Sequence, residues 1–106
     1  MAFDHSKEWQ KSEQQRVIDV IKEVGVHRLG NMTGSGCLCS RFSLRNVDVE
    51  ISCGKSGERG ISVGSGSWDY DDIDLLRPIA EEIRRQCDDL NDGRGELPIH
   101  LQLEYL

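Results

Sequence analysis

Apolar residues recur along the chain at intervals typical of helices in some segments and of strands in others. From Ser6 to Val24 they fall on one broad face, which predicts a first helix over these residues. The apolar positions on that face are Trp9, Val17, Ile18, Val20, Ile21 and Val24. Gly25 then suits the left-handed conformation that often follows a helix end. Residues 27–36 read as a loop or a ragged edge strand.

Two alternating segments, Cys37–Leu44 and Val47–Cys53, predict a β-hairpin whose strands are joined by a two-residue turn at Arg45 and Asn46. Asn46 tolerates a positive φ better than Arg45 does, so the pattern fixes the pairing and leaves the turn type open. The pairs on the core side are Leu44 with Val47, Phe42 with Val49, and Leu38 with Cys53, while Arg41 lies opposite Glu50 on the other face.

The rest of the chain predicts a strand, a helix and a closing strand. The third strand runs from Arg59 to Gly64, and the second helix from Asp72 to Leu90. Pro78 fits best in a first helical turn, so the regular helix is expected to begin near Arg77 after a looser turn. The apolar stripe of this helix is Ile73, Leu76, Ile79, Ala80, Ile83, Cys87 and Leu90. The closing strand, residues 97–106, directs inward Leu97, Ile99, Leu101, Leu103 and Tyr105.

The element order α-β-β-β-α-β predicts an α+β fold, a two-layer sandwich in which two helices pack on one face of a mostly antiparallel four-stranded sheet. A chain of 106 residues has room for one core, so residues 1–106 are expected to form a single domain. With 37% hydrophobic and 30% charged residues, the composition is that of a soluble globular protein. No apolar run approaches the roughly twenty residues of a membrane span, and the polar N-terminal stretch lacks a secretory signal, so we expect a cytoplasmic location.

Negative charge is concentrated in the second half of the chain. The net charge is −6; residues 1–60 carry nine basic and eight acidic groups, whereas residues 61–106 carry four basic and eleven acidic groups. A surface of that sign repels the phosphates of nucleic acids and attracts a basic partner. The basic residues are scattered and form no stripe with aromatic residues, so nucleic-acid binding is not expected. The plain alternative is a solubilising face without any partner.

Four cysteines raise the questions of a disulfide and of a zinc site. Cys37 and Cys39 lie on one face of a strand with Cβ atoms about 6–7 Å apart, whereas a disulfide needs ~3.8 Å. Cys53 and Cys87 fall on core positions, where small buried thiols are expected in a reducing cytoplasm. The spacing matches no common zinc pattern, and no phosphate-binding or calcium-binding loop is complete, so neither a metal nor a cofactor is expected.

The outer face of the predicted sheet is one candidate for a ligand site. Cys37, Cys39, Arg41 and His100 all point away from the core in the predicted register. If the first and last strands were neighbours, a cysteine thiolate beside His100 would allow nucleophilic chemistry, or the group would bind a small molecule. A homodimer through the outer face or the last strand, with a site completed across the interface, is a further alternative.

The strongest candidate for recognition is the segment 61–76, ISVGSGSWDYDDIDLL, in which a strand passes through a glycine-rich break into a helix. Aromatic groups beside carboxylates supply contact area and charge complementarity to a basic protein. Tyr70 and the aspartates are the better candidates, because a tryptophan at such a junction, here Trp68, often covers the core instead. The predicted partner-binding residues are Trp68, Asp69, Tyr70, Asp71, Asp72, Asp74, Glu81 and Asp88.

A strand of the form ISVGSG, followed by Trp-Asp-Tyr-Asp-Asp and a hydrophobic–acidic helix, resembles small acidic bacterial immunity proteins over about residues 60–85. More loosely, the chain is similar to short orphan proteins carried by phages and gene cassettes. The resemblance implies that an acidic face neutralises a toxin or an enzyme. We therefore expect a non-enzymatic domain that inhibits a basic protein partner. Small-molecule binding or thiol-dependent catalysis on the outer sheet face is the alternative.

Overall fold

Helices form one layer and a four-stranded sheet the other in the computed structural model, which describes residues 6–30, 40–53, 59–66, 69–87 and 97–103. The helices are α1 (Lys7–Val24), α2 (Val26–Leu29) and α3 (Arg77–Cys87), with a 3₁₀ turn (Ile73–Leu76) before α3. The strands are β1 (Ser40–Leu44), β2 (Val47–Cys53), β3 (Arg59–Ser65) and β4 (Ile99–Leu103). β1, β2 and β3 pair antiparallel in chain order, and β4 lies parallel to β3 at the sheet edge. The predicted α+β class and mostly antiparallel sheet are confirmed.

Helix α1 begins and ends where the sequence predicts. The Ser6 hydroxyl accepts a hydrogen bond from the Trp9 backbone N–H (3.2 Å) and caps the N-terminus. Gly25 has a positive φ of 92°, and its N–H closes the last turn on the Ile21 carbonyl at 2.9 Å. The loop expected after Gly25 is wrong at its start, because residues 26–29 form α2, whereas residues 31–36 lie outside the described residues.

The buried face of α1 differs in part from the predicted apolar face. As predicted, the helix buries Val17, Ile18 and Ile21. Val24, however, is 38% exposed, and Trp9 and Val20 are only half-buried. In the first half of the helix the buried residues are instead Gln10 and Glu13. The pattern of apolar residues predicts the buried face wrongly in the N-terminal half of α1, because the residues that face inward there are polar.

The predicted hairpin register is confirmed. Its described pairs are Leu44 with Val47, Phe42 with Val49, and Arg41 with Glu50. The positive φ in the turn falls on Arg45 (55°), where an ion pair between its guanidinium and the Glu13 carboxylate fixes the side chain. The predicted pair of Leu38 with Cys53 lies outside the described residues, since the described part of the strand begins at Ser40 and the Cys53 side chain is not described.

The regular part of the second predicted helix begins at Arg77, as Pro78 requires, and the looser turn before it is the 3₁₀ turn. Asp72 caps that turn, because its carboxylate accepts a hydrogen bond from the Asp74 N–H at 3.0 Å. The predicted end of the helix at Leu90 and the inward Tyr105 lie outside the described residues.

A single apolar cluster fills the space between the helices and the sheet. Its central members are Val17 and Ile21 of α1, Ile79 and Ile83 of α3, Val49 and Ile51 of β2, and Ile61 and Val63 of β3. Fully burying an aliphatic side chain of this size stabilises a fold by roughly 1.5–3 kcal/mol. Cys87 is fully buried in the same cluster, as the helical stripe predicts. Within the described ranges, no helix is both long enough and apolar enough to cross a membrane.

Gln86 of α3 joins the helical elements through its carboxamide. Its Nε2 donates a hydrogen bond to the Ile21 carbonyl (3.0 Å), and its Oε1 accepts one from the Val26 N–H at 2.8 Å. One side chain therefore satisfies backbone groups where α1 ends and α2 begins. Because Val26 is buried, its N–H would otherwise lack a partner.

Replacing Gln86 by alanine should lower the free energy of unfolding by about 1–2 kcal/mol, since a buried N–H loses its acceptor. Urea unfolding measures this change. The matched control is Gln15→Ala, which removes an exposed glutamine of α1 that is hydrogen-bonded to Asp19 of the same helix α1. Equal midpoints for the two variants would contradict the role of Gln86.

Candidate functional site

Buried residues near its two ends attach the acidic segment, residues 69–74, to the core. Tyr70 and, just after the segment, Leu76 are fully buried. The prediction that Tyr70 contacts a partner is therefore wrong, because its ring belongs to the core and its hydroxyl points to Asn46 Oδ1 at 3.5 Å. The three-residue spacing from Tyr70 to Ile73 and Leu76 is the sequence signal for this inward position.

Two glutamines of α1 hold the backbone of the acidic segment. The Oε1 atom of the buried Gln10 accepts a hydrogen bond from the Asp71 N–H at 3.2 Å. The Nε2 atom of Gln14 donates one to the Leu75 carbonyl at 2.6 Å. These bonds orient the carboxylates between them toward the surface. Sequence reasoning missed both glutamines, because a polar residue facing inward carries no signal of its own in a single sequence.

Cations of the same chain lie beside the carboxylates. Lys7 Nζ lies 2.5 Å from Asp71 Oδ1 and 3.9 Å from Asp72 Oδ2. Arg77 lies 3.7 Å from the carboxylate of Asp74. The hydrogen bond from Lys7 is the main cause that holds the pKa of Asp71 below its ordinary value. The segment thus has four carboxylates against the two cations described beside them.

Glu81 lies in a different setting, a shallow groove of about 790 Å³ between α1 and α3. Its carboxylate pairs with Arg84 at 2.6 Å. The charged residues that line this groove have both signs: Lys22, Arg77, Arg84 and Arg85 alternate with Asp74, Glu81 and Glu82. The groove is therefore not a continuation of an acidic face. Trp68 and Asp88, the remaining predicted contacts, lie outside the described residues.

The described residues carry little of the chain's excess negative charge. The described residues include twelve acidic and eleven basic groups, although the whole chain has a net charge of −6. Most of the excess therefore belongs to segments outside the described residues. Within the described ranges, residues 69–74 carry four of the twelve carboxylates, and Lys7 and Arg77 lie beside three of these four.

A polar cluster around the buried carboxylate of Glu13 lies at the hairpin turn, close to Tyr70 of the acidic segment. Glu13 is 5% exposed, and its carboxylate pairs with Arg45 and, at 3.8 Å, with Arg16. The hydrogen bond and the charge of Glu13 raise the pKa of Arg45. Burial, with the negative charges of Glu13 and Asp69, raises the pKa of Tyr70 to about 12. The cluster links α1, the hairpin turn and the acidic segment.

Two of the four residues predicted for the alternative site on the outer sheet face, Arg41 and His100, are described, and they lie far apart. β1 and β4 lie at opposite edges of the sheet, so Arg41 and His100 are three strand spacings, roughly 14 Å, apart. They share a cross-strand row with Glu50 and Ser62 between them. Arg41 donates hydrogen bonds to Glu50, from Nε at 3.0 Å. Cys37 and Cys39 lie outside the described residues.

Stability should fall in alkaline solution because of Tyr70. An unfolded tyrosine loses its proton near pH 10, while the buried phenol keeps it to about 12. The neutral phenol therefore makes its full contribution to the free energy of unfolding below pH ~10 and loses it as the pH rises toward ~12. The difference between the two pKa values corresponds to a loss of about 3 kcal/mol. Urea unfolding at a series of alkaline pH values measures the loss.

Tyr70→Phe should remove most of this pH dependence, whereas Tyr105→Phe should leave it in place. Since these are the two tyrosines of the chain, the pair of variants separates their contributions. An equal loss of stability in all three proteins would show that another group causes it.

No group of three or more metal-ligating side chains comes together among the described residues. Comparison of the chain with family models, with curated proteins and with solved structures gave no match.

Proposed function

We propose that the chain is a non-enzymatic protein-binding domain that inhibits or neutralises a basic protein, as an immunity protein does. The observation that carries the proposal is the acidic segment, in which anionic side chains are presented on a backbone fixed from beneath. Asp71 and Asp74 are exposed there, while Tyr70 and Leu76 anchor the segment in the core.

Pre-organisation favours binding by this segment. A loop that must be ordered on association loses part of its interaction energy to conformational entropy. Here the hydrogen bond that Gln10 accepts, the one that Gln14 donates and the cap formed by Asp72 already fix the backbone. A basic partner would therefore meet carboxylates that need little rearrangement.

The chain's own cations do not close this surface to a partner. The side chains of Lys7 and Asp71 are 53% and 45% exposed, and that of Asp74 is 73% exposed. Exposed ion pairs of this kind contribute about 0–1 kcal/mol, so an incoming lysine or arginine can replace Lys7 or Arg77 at small cost. Electrostatic attraction would act chiefly on the association rate.

Small-molecule binding or thiol-dependent catalysis on the outer face has less support. Arg41 is held by Glu50, and His100 stands at the other edge of the sheet. These two described members of the site stand three strand spacings apart and do not converge on one small ligand.

The partner-binding role is tested with the double variant Asp71→Asn and Asp74→Asn. Proteins captured from a lysate are identified, and association with the purified partner is measured at low and high salt. The variant should associate about three- to ten-fold more slowly at low salt, with a smaller difference at high salt.

The matched control is Asp19→Asn with Glu23→Gln, which removes the same charge from the exposed side of α1. A specific role for the acidic segment requires that this control bind nearly as the parent chain does. Equal slowing in both double variants would mean that only net charge matters and would count against the proposed surface.

A further inference from the structure

The described side chains on the outer face of the sheet are polar, and most of them are exposed. Both α1 and α3 contribute to the core cluster on the other face. The outward side chains of the central part of the outer face are Arg41 and Ser43 of β1, Asp48 and Glu50 of β2, Ser62 of β3, and His100 and Gln102 of β4. They line a concave region of about 540 Å³, within the range of roughly 300–1,000 Å³ usual for binding sites.

The concavity is a channel that follows β3, which we call the outer channel. Its floor is formed by Ser62 and Gly64, small outward residues of that strand. Its walls are the larger outward residues of β2 and β4, about 10 Å apart at two strand spacings. A methyl group on Gly64 would meet the Gln102 carbonyl at 3.0 Å, so glycine is also required for the close approach of β4.

Hydrogen-bonding capacity along the channel is unused by the described residues. Asp48 accepts a bond from Ser43 through Oδ1, and Glu50 accepts from Arg41 through Oε2. The second carboxylate oxygens, Oδ2 of Asp48 and Oε1 of Glu50, take no bond from a described residue. The same holds for the Ser62 hydroxyl on the floor.

The two carboxylates of the β2 wall favour a ligand with two regularly spaced positive charges. Asp48 and Glu50 are alternate residues of one strand, so their side chains repeat at roughly 6.7 Å on one face. Alternate side chains of any extended peptide repeat at the same distance. The empty floor leaves room for long side chains to lie beside the wall.

We propose that the outer channel binds an extended segment of a basic protein that carries lysine or arginine at alternate positions. One cationic side chain would pair with Asp48 and the next with Glu50, while His100 and Gln102 face the segment from the opposite wall. This inference rests on the proposed function only in expecting a basic partner; its site is separate from residues 69–74.

A second copy of the chain is a poorer occupant. The described outer face is three strand spacings wide and about five residues long, roughly 250 Å², against the ~800 Å² per partner that a stable interface buries. Strand-like peptides need far less area, and the unpaired oxygens call for cations.

The test uses two short peptides of equal composition, Thr-Lys-Thr-Lys-Thr and Thr-Lys-Lys-Thr-Thr, titrated into the labelled protein and followed by heteronuclear NMR. The first places both lysines on one side of an extended chain, while the second places them on opposite sides. The alternating peptide should shift the amide signals of Ser62, Gly64 and His100 and bind several-fold more tightly. No shift at millimolar peptide, or equal binding of both peptides, would overturn the proposal.

Three variants test whether the affinity for the alternating peptide changes as the proposed ion pairs require. Asp48→Asn with Glu50→Gln should weaken binding of the alternating peptide about five- to ten-fold, the size expected for two partly exposed ion pairs. Arg41→Gln should tighten it, because Glu50 is then released from its competing cation. The control Asp19→Asn with Glu23→Gln should bind as the parent chain does. A loss of binding in Arg41→Gln equal to that of the Asp48 and Glu50 variant would contradict the assignment.

The variant Asp71→Asn with Asp74→Asn separates this inference from the proposed function. Unchanged peptide binding in that variant supports a channel independent of the acidic segment. Loss of peptide binding there, with the channel variants unaffected, would place the peptide on the acidic segment and overturn the channel.

Discussion

The inner face of α1 carries polar side chains at the end where it meets the hairpin and the acidic segment, and the rest of the architecture depends on them. At helical spacing, its inward positions begin with Gln10, Glu13 and Gln14 and continue with Val17 and Ile21. The apolar half joins the core in the ordinary way. The polar half is held by hydrogen bonds and an ion pair, because a buried polar group without a partner lowers the stability of the fold by about 1–3 kcal/mol.

Those bonds determine where the candidate surface stands. Gln10 and Gln14 hold the backbone of the acidic segment, and Glu13 holds the hairpin turn through Arg45. Only the Glu13 carboxylate of this ion pair is buried, so its desolvation offsets part of the attraction, while the pairing requires a particular geometry. Here it joins α1 to the turn at the residue with positive φ. The result is a rigid platform beneath exposed carboxylates.

Two surfaces of different design follow from the same chain. The acidic segment presents charge at the start of the 3₁₀ turn, whereas the outer channel presents it along a strand, where β-structure spaces the carboxylates regularly. Acidic and basic groups are nearly balanced among the described residues, so local geometry gives each surface its character. Since ion pairs on exposed groups are individually weak, recognition by either surface requires several of them in fixed positions.

The sequence by itself determined what depends on local periodicity. Alternation in β1 and β2 fixed the pairing of Phe42 with Val49, because a slip of one residue would turn every apolar side chain outward. Pro78 located the start of α3 in the same way, through its own backbone constraint. Tertiary structure decided the rest. It buried Tyr70, turned Gln10 and Glu13 inward, and placed β4 beside β3, so that His100 and Arg41 stand at opposite edges. These outcomes rest on contacts between residues far apart in the chain, and a local pattern carries no record of such contacts.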